Sequence, residues 1–218
     1  MRILMTGATG LVGQGVLHEV LARADVAAVG LLGRRASGSG DPRVSELVVD
    51  AFDALAPVED RLAPWDACFY CAGAPPLGTP EGEYRRVTVD LTLAVARAYA
   101  QRNPGGRFLY VSGAMADPAS GVMPLRVKGE AEAALQALPI ATVMLRPGGI
   151  QPAHGERSPH AWMRPLYAVG APLMGVGVRL LPSVMTSTAA LGRALLALAA
   201  MPDPPAVVEN AEINRLGA

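Results

Sequence analysis

A short apolar run, Ile3 to Met5, ends in Thr6-Gly7-Ala8-Thr9-Gly10-Leu11-Val12-Gly13, and from Leu11 onward apolar residues recur at helical spacing. A strand that turns through Gly-x-x-Gly-x-x-Gly straight into a helix leaves few architectures open. The arrangement describes a cradle for the phosphates of a dinucleotide. Phosphate needs backbone N–H donors and the positive end of a helix dipole within touching distance, and side chains in the turn would hold it away. Gly7 permits the tight turn, Gly10 the approach of the phosphate, and Gly13 close packing of helix on strand. In a chain with 24 glycines the triplet alone is weak; its place between strand and helix gives it weight.

The 218 residues suffice to bury a full core, and one domain spanning 1–218 is expected, with a small cover segment at about 152–185. Charged residues balance at 19 against 19, which removes the basic footprint of a nucleic-acid binder. Cys68 and Cys71 form Cys-x-x-Cys inside the apolar run Ala67-Cys68-Phe69-Tyr70-Cys71-Ala72-Gly73, so both read as small core residues of a buried strand. With only His18, His154 and His160 elsewhere, no metal site is expected. The apolar start is a strand, not a signal peptide, and the chain carries no run long enough to span a bilayer. The expected location is cytoplasmic.

Apolar runs alternate with helix-period segments along most of the chain. Strands are expected at 2–5, 27–32, 44–49, 67–71, 108–111, 141–145 and 206–208, and helices at 11–22, 83–102, 125–137 and 187–200. This rhythm predicts an α/β fold: a doubly wound parallel sheet, Rossmann-like, with helices on both faces and a small C-terminal helical cover. Ligands of such sheets bind outside the carboxyl ends of the strands. The second strand ends in Gly33-Arg34-Arg35 with no acid. An NAD binder places a carboxylate here for the ribose hydroxyls, whereas the extra phosphate of NADP calls for guanidinium partners, so NADP(H) is expected over NAD(H). Asp50, after the third strand, is placed to accept from the adenine amino group.

These residues resemble a short-chain dehydrogenase/reductase, in the atypical branch described as NAD-dependent epimerase/dehydratase-like, NAD(P)H-binding proteins. The resemblance covers nearly the whole chain. It rests on the glycine turn, on Cys71-Ala72-Gly73 where the family often has Asn-Ala-Gly, on Val111-Ser112-Gly113-Ala114, on Val127-Lys128-Gly129-Glu130 and on Leu145-Arg146-Pro147-Gly148. It implies that Gly7, Thr9, Gly10, Leu11, Val12 and Gly13 hold the pyrophosphate, that Cys71, Ala72 and Gly73 lie on the adenosine side, and that Pro147 and Gly148 border the nicotinamide. It also implies a tetrad of Asn, Ser, Tyr and Lys, in which Tyr moves the proton, Lys lowers its pKa and holds the ribose, and Ser orients the substrate oxygen. Here Lys128 and Ser112 are the catalytic candidates. Four residues before Lys128 stands Pro124, which cannot donate a proton. Gly113 takes the place of the family's second Ser, and Thr88 that of the helical Asn. Of the remaining candidates for a general acid, His154 is the best placed; Tyr70 and Tyr110 read as core.

From Ser158 to Pro182 the chain is apolar, with Pro165, Leu166, Tyr167, Pro172, Leu173, Met174, Val176 and Val178 among glycines. Three readings stand, in this order: a lid over an apolar substrate, a subunit interface such as a homodimer, and a surface touching membrane. Met174 and Met185 are candidates to shape a forgiving pocket. The leading functional expectation is an NADP(H)-dependent oxidoreductase for a small apolar carbonyl substrate, with Ser112 polarising the carbonyl and water or His154 supplying the proton. The alternative is a non-catalytic NADPH-binding redox sensor or scaffold whose proton relay has been lost. Sugar epimerisation ranks last, because it needs a proton shuttle where Tyr is missing.

Overall fold

The computed structural model describes residues 1–156, 181 and 183–218. The expected cover residues from Pro165 to Val178, with His160, lie outside the described residues.

Seven parallel strands form the central sheet, in the order β3-β2-β1-β4-β5-β6-β9. They are β1 (Arg2–Thr6), β2 (Ala28–Gly33), β3 (Val44–Val48), β4 (Ala67–Tyr70), β5 (Arg107–Val111), β6 (Ala141–Arg146) and β9 (Val207–Glu209). Thr6 pairs with Leu32 on one side and Tyr70 on the other, so the order reverses between β1 and β4. That reversal opens the crevice in which such sheets bind ligands. The strand interiors are buried on both faces, as parallel sheets require.

One face packs on α1 (Leu11–Ala22) and α5 (Thr188–Ala200) through Ile3, Met5, Val16, Val20, Leu109, Leu191 and Leu195. The other packs on α3 (Leu91–Arg102) and α4 (Met123–Gln136) through Leu4, Tyr70, Tyr99, Phe108, Tyr110, Val127 and Leu135. Alternation of side chains along each strand sends Leu4 and Tyr110 one way and Met5 and Leu109 the other. The doubly wound expectation therefore holds.

Three features differ from the sequence reading. The helix expected at 83–102 begins earlier, as α2 (Glu81–Arg85), and reaches α3 through a π turn at Arg86–Asp90. A short parallel pair, β7 (Gly149–Gln151) with β8 (Met185–Ser187), brackets the segment between them; Met185, expected to shape a pocket, is its first residue. Three-residue strands are too short to show a period of two. The chain closes with α6 (Asn210–Leu216), short enough to escape a helical-period reading. Among the described residues, no helix is long and apolar enough to cross a membrane.

Candidate functional site

The glycine turn is built as its spacing implies. Gly7 has φ +74, and a Cβ there would fall 2.6 Å from Ala72 N. The left-handed conformation and the close approach both exclude larger residues. A Cβ on Gly13 would fall 1.9 Å from Gly7 O, so helix and turn touch backbone to backbone. Gly10 N donates to Gly7 O at 2.9 Å, and Gln14 closes the turn through Nε2 to Thr9 O at 3.1 Å. Gly10 is the N-cap of α1 and offers no side chain to its first turn, leaving the N–H groups there open. The loop after β4 is drawn in as well, Ala72 N donating to Thr6 Oγ1 at 3.3 Å. Thus Cys71 and Ala72 lie against the turn, and Gly73 faces open space.

Arg34 and Arg35 follow β2 directly, both exposed, and among the described residues neither has a hydrogen-bonding or ionic partner. Asp50 is likewise exposed, two residues beyond β3. A cavity of about 270 Å³ lies between α1 and the loop after β2, lined by Ala8, Gln14, Leu17 and Ser37.

The carboxyl end of β5 carries the second group. Ser112 is 7% exposed, and its Oγ has no hydrogen-bond partner among the described residues. Its N–H donates to Leu145 O at 2.8 Å, and Ala114 N donates to Pro147 O at 2.9 Å, so the loop after β5 is fastened to the Pro147-Gly148 loop after β6. A Cβ on Gly148 would meet Val184 O at 2.0 Å, which brings the residue before β8 to the same edge. A buried hydroxyl without a partner forfeits hydrogen-bond energy, and such groups cluster where a ligand is received.

Lys128 reaches toward this edge from α4. Its Nζ donates to Tyr110 OH at 3.1 Å and to Val111 O at 3.2 Å, and lies 4.8 Å from the Tyr110 ring centroid. Burial lowers the ammonium pKa to about 8, with the Glu132 carboxylate opposing. Two of three ammonium protons are engaged, and the third remains for a ligand. Pro124 stands in the first turn of α4, where a missing N–H costs nothing. No ionisable group occupies that place.

Tyr110 is the residue that sequence reasoning undervalued. It is core, 1% exposed, yet its hydroxyl anchors Lys128. Burial pushes its phenol far above the ordinary tyrosine range. It therefore holds Lys128 without access to a substrate. Position 110 lies two before Ser112 and shares its face of the strand, a signal visible only once α4 is known to cover that face. Thr88 is buried in the π turn. Desolvation also raises Cys71 to about 12 and Cys68 well above its usual value, so neither thiol is reactive.

His154 is engaged elsewhere. Its Nε2 lies 2.8 Å from Glu19 Oε1, and its ring stacks on His18 at 3.8 Å. The contact places it against the outer side of α1, away from Lys128 on α4.

The open helix end, the glycine turn that a Cβ would fill, the unpartnered Ser112 hydroxyl and the spare proton of Lys128 fit a dinucleotide laid across the carboxyl edge.

Comparison with known proteins bears on the family and the fold. No family model matches the chain. Protein fmp52-1, mitochondrial, of Aspergillus oryzae is 30% identical over 160 residues, which are 71% of this chain and 68% of that protein. The chain belongs to the fmp52 family. An Aspergillus terreus relative of the same description is 28% identical over 162 residues. These fmp52 relatives are named mitochondrial, which overturns the cytoplasmic expectation.

Among solved structures, a short-chain dehydrogenase/reductase superfamily protein from Agrobacterium tumefaciens, with bound NAD, matches at TM-score 0.66 and 16% identity, covering 99% of this chain and 81% of that one. MoeE5 in complex with UDP-glucuronic acid and NAD matches at TM-score 0.66 and 21% identity, over 95% and 75% of the two chains. The fold of this fmp52-family chain is that of the short-chain dehydrogenase/reductases.

Proposed function

We propose that this chain is an NADP(H)-dependent oxidoreductase acting on a small apolar carbonyl compound. The observation that carries the reading is the buried Ser112 hydroxyl, without a partner among the described residues, one position past the strand whose Val111 carbonyl holds Lys128. Gly7, Thr9, Gly10, Leu11, Val12 and Gly13 would receive the pyrophosphate, with Arg34 and Arg35 on the ribose phosphate and Asp50, Cys71, Ala72 and Gly73 on the adenosine side. Lys128 would donate to the ribose hydroxyls near the nicotinamide, and Pro147 and Gly148 would border that ring. A nicotinamide bound there would supply a hydride. Ser112 would donate a hydrogen bond to the substrate oxygen, and water would deliver the proton, since Pro124 cannot and His154 is tied to Glu19. Loss of a general acid costs about 10²–10⁴ in rate, so turnover is expected to be slow.

The apolar character of the substrate rests on the mouth of the site. Leu77, Met115 and Val122, exposed at 71%, 73% and 56%, stand on the loop after β4, the loop after β5 and the start of α4. All three lie at the carboxyl end of the sheet.

A second reading, a non-catalytic NADPH-binding sensor or scaffold, draws on Pro124 and on the inaccessibility of Tyr110. It requires unequal affinities for NADPH and NADP, because a ligand pair switches a protein only through differential binding. Titration with NADPH, NADP, NADH and NAD, beside an Arg34→Ala/Arg35→Ala variant and followed by NADPH oxidation over a panel of apolar carbonyl compounds, tests both. Tight NADPH binding weakened in the double variant, with turnover, is the expected result. Binding with silence across the panel and a clear NADPH/NADP preference favours the sensor. Failure to bind any of the four removes both.

A further inference from the structure

His18 and Glu19 on α1 and His154 in the loop after β7 meet although 135 residues separate Glu19 from His154. We propose that these three side chains form a binding site for a divalent transition-metal ion of the zinc class, beside the cavity between α1 and the loop after β2, which His18 also lines.

Each of the three offers one ligand atom, and all these atoms lie within 4.8 Å of one another. Glu19 Oε1 lies 2.8 Å from His154 Nε2 and 4.0 Å from His18 Nδ1. Zinc sits about 2.0–2.2 Å from imidazole nitrogen and carboxylate oxygen, so its ligand atoms lie roughly 3.3 Å apart in a tetrahedral set. The two spacings to Glu19 Oε1 bracket that value. Imidazole with carboxylate is the donor set that zinc and its neighbours take in preference to magnesium or calcium.

The carboxylate is held in place before any ion arrives. Its side chain is 11% exposed, and Arg193 Nη1 lies 3.4 Å from the other oxygen, Oε2. A Cβ on Gly192 would fall 2.9 Å from Glu19 Cβ, so α5 is pressed against this residue. The loop bearing His154 is fixed too: Ala153 N donates to Thr188 Oγ1 at 3.0 Å and His154 N donates to Glu156 Oε2 at 2.8 Å. The imidazoles stack at 3.8 Å between ring centroids with 23° between planes. A bound ion would take one ring lone pair from each imidazole and one oxygen of the carboxylate. Three protein ligands leave the fourth position for water.

The ion would join α1 to the loop that leads from β7. Titration of the full chain with zinc sulfate by calorimetry is expected to give one ion per chain, with affinity falling at least tenfold in His18→Ala and in His154→Ala. The unaltered protein loaded with cobalt is expected to show visible d–d bands without a thiolate charge-transfer band. Absence of zinc binding would overturn the proposal, as would affinity unchanged in both variants. A thiolate band would do so too, by assigning the ion to Cys68 and Cys71. The cobalt spectrum needs no substitution, so a variant that fails to fold does not protect the proposal, and neither readout depends on dinucleotide binding.

Discussion

The two ends of the sheet are finished differently. At the amino end, polar groups are tied down. Asn103 accepts from Trp65 N at 2.7 Å and donates to Leu62 O at 2.7 Å and Tyr99 O at 3.0 Å. Arg107 Nη1 donates to Leu198, Ala199 and Met201 carbonyls and so caps the end of α5, leaving its Nε as the exception. Arg43 does the same for α1 through the Leu21 and Arg23 carbonyls. At the carboxyl end the Ser112 hydroxyl lacks a partner, Arg34 and Arg35 stand free of partners among the described residues, and α1 begins without a side-chain cap. The carboxyl end has tied groups too, since Arg146 donates to Glu132 at 2.6 Å and to Glu209 at 3.0 Å, but the Ser112 hydroxyl and the guanidinium groups of Arg34 and Arg35 are left open to a ligand.

The contrast breaks most sharply at the glycine turn. Gly13→Ala forces a Cβ to within 1.9 Å of Gly7 O, and loss of measurable NADPH binding with a lowered melting temperature is expected; calorimetry with thermal melts reads both. At the other end, Asn103→Ala strands the Trp65 N–H and the Leu62 carbonyl in the core. Urea unfolding should show a loss of about 2–4 kcal/mol, while NADPH affinity in the folded protein stays within twofold. If affinity fell with stability, the two ends would not be separable.

Lys128 gives a pH test. The amine is charged below its pKa of about 8 and neutral above it. NADPH affinity should therefore be highest below that pH and decline several-fold on passing to pH 9; Lys128→Met should bind more weakly at low pH and flatten the profile. Ser112→Ala has the smallest expected effect on stability. Removing a buried hydroxyl that has no partner should leave unfolding free energy unchanged or raise it by up to about 1 kcal/mol, while turnover of a carbonyl substrate falls about a hundredfold. A destabilised Ser112→Ala would show that its hydroxyl already has an internal partner and would erase the contrast.

Much of this was legible from residue order because it is local. The turn from Gly7 to Gly13 encodes its own geometry, since positive φ and backbone contact demand glycine where they occur. Strands buried on both faces announce themselves as unbroken apolar runs, which is why β1, β2, β4, β5 and β6 fall within a residue or two of their expected bounds. Pro124, four residues before Lys128 on one helix, likewise needed only spacing. The short pair β7–β8 and the π turn escaped because neither leaves a period long enough to detect.

Other assignments belong to the tertiary structure alone. Tyr110 looks like any core aromatic until α4 brings Lys128 to its hydroxyl. His154 is a candidate acid by sequence position, yet the loop after β7 carries it to Glu19 and His18. Sequence alone determined the longer strands and helices and the glycine turn, because short-range sterics and hydrophobic periodicity act between neighbours in the chain. Which polar groups find partners and which are left for a ligand was decided by packing, because a hydrogen bond is made in space and carries no memory of the sequence distance it closes.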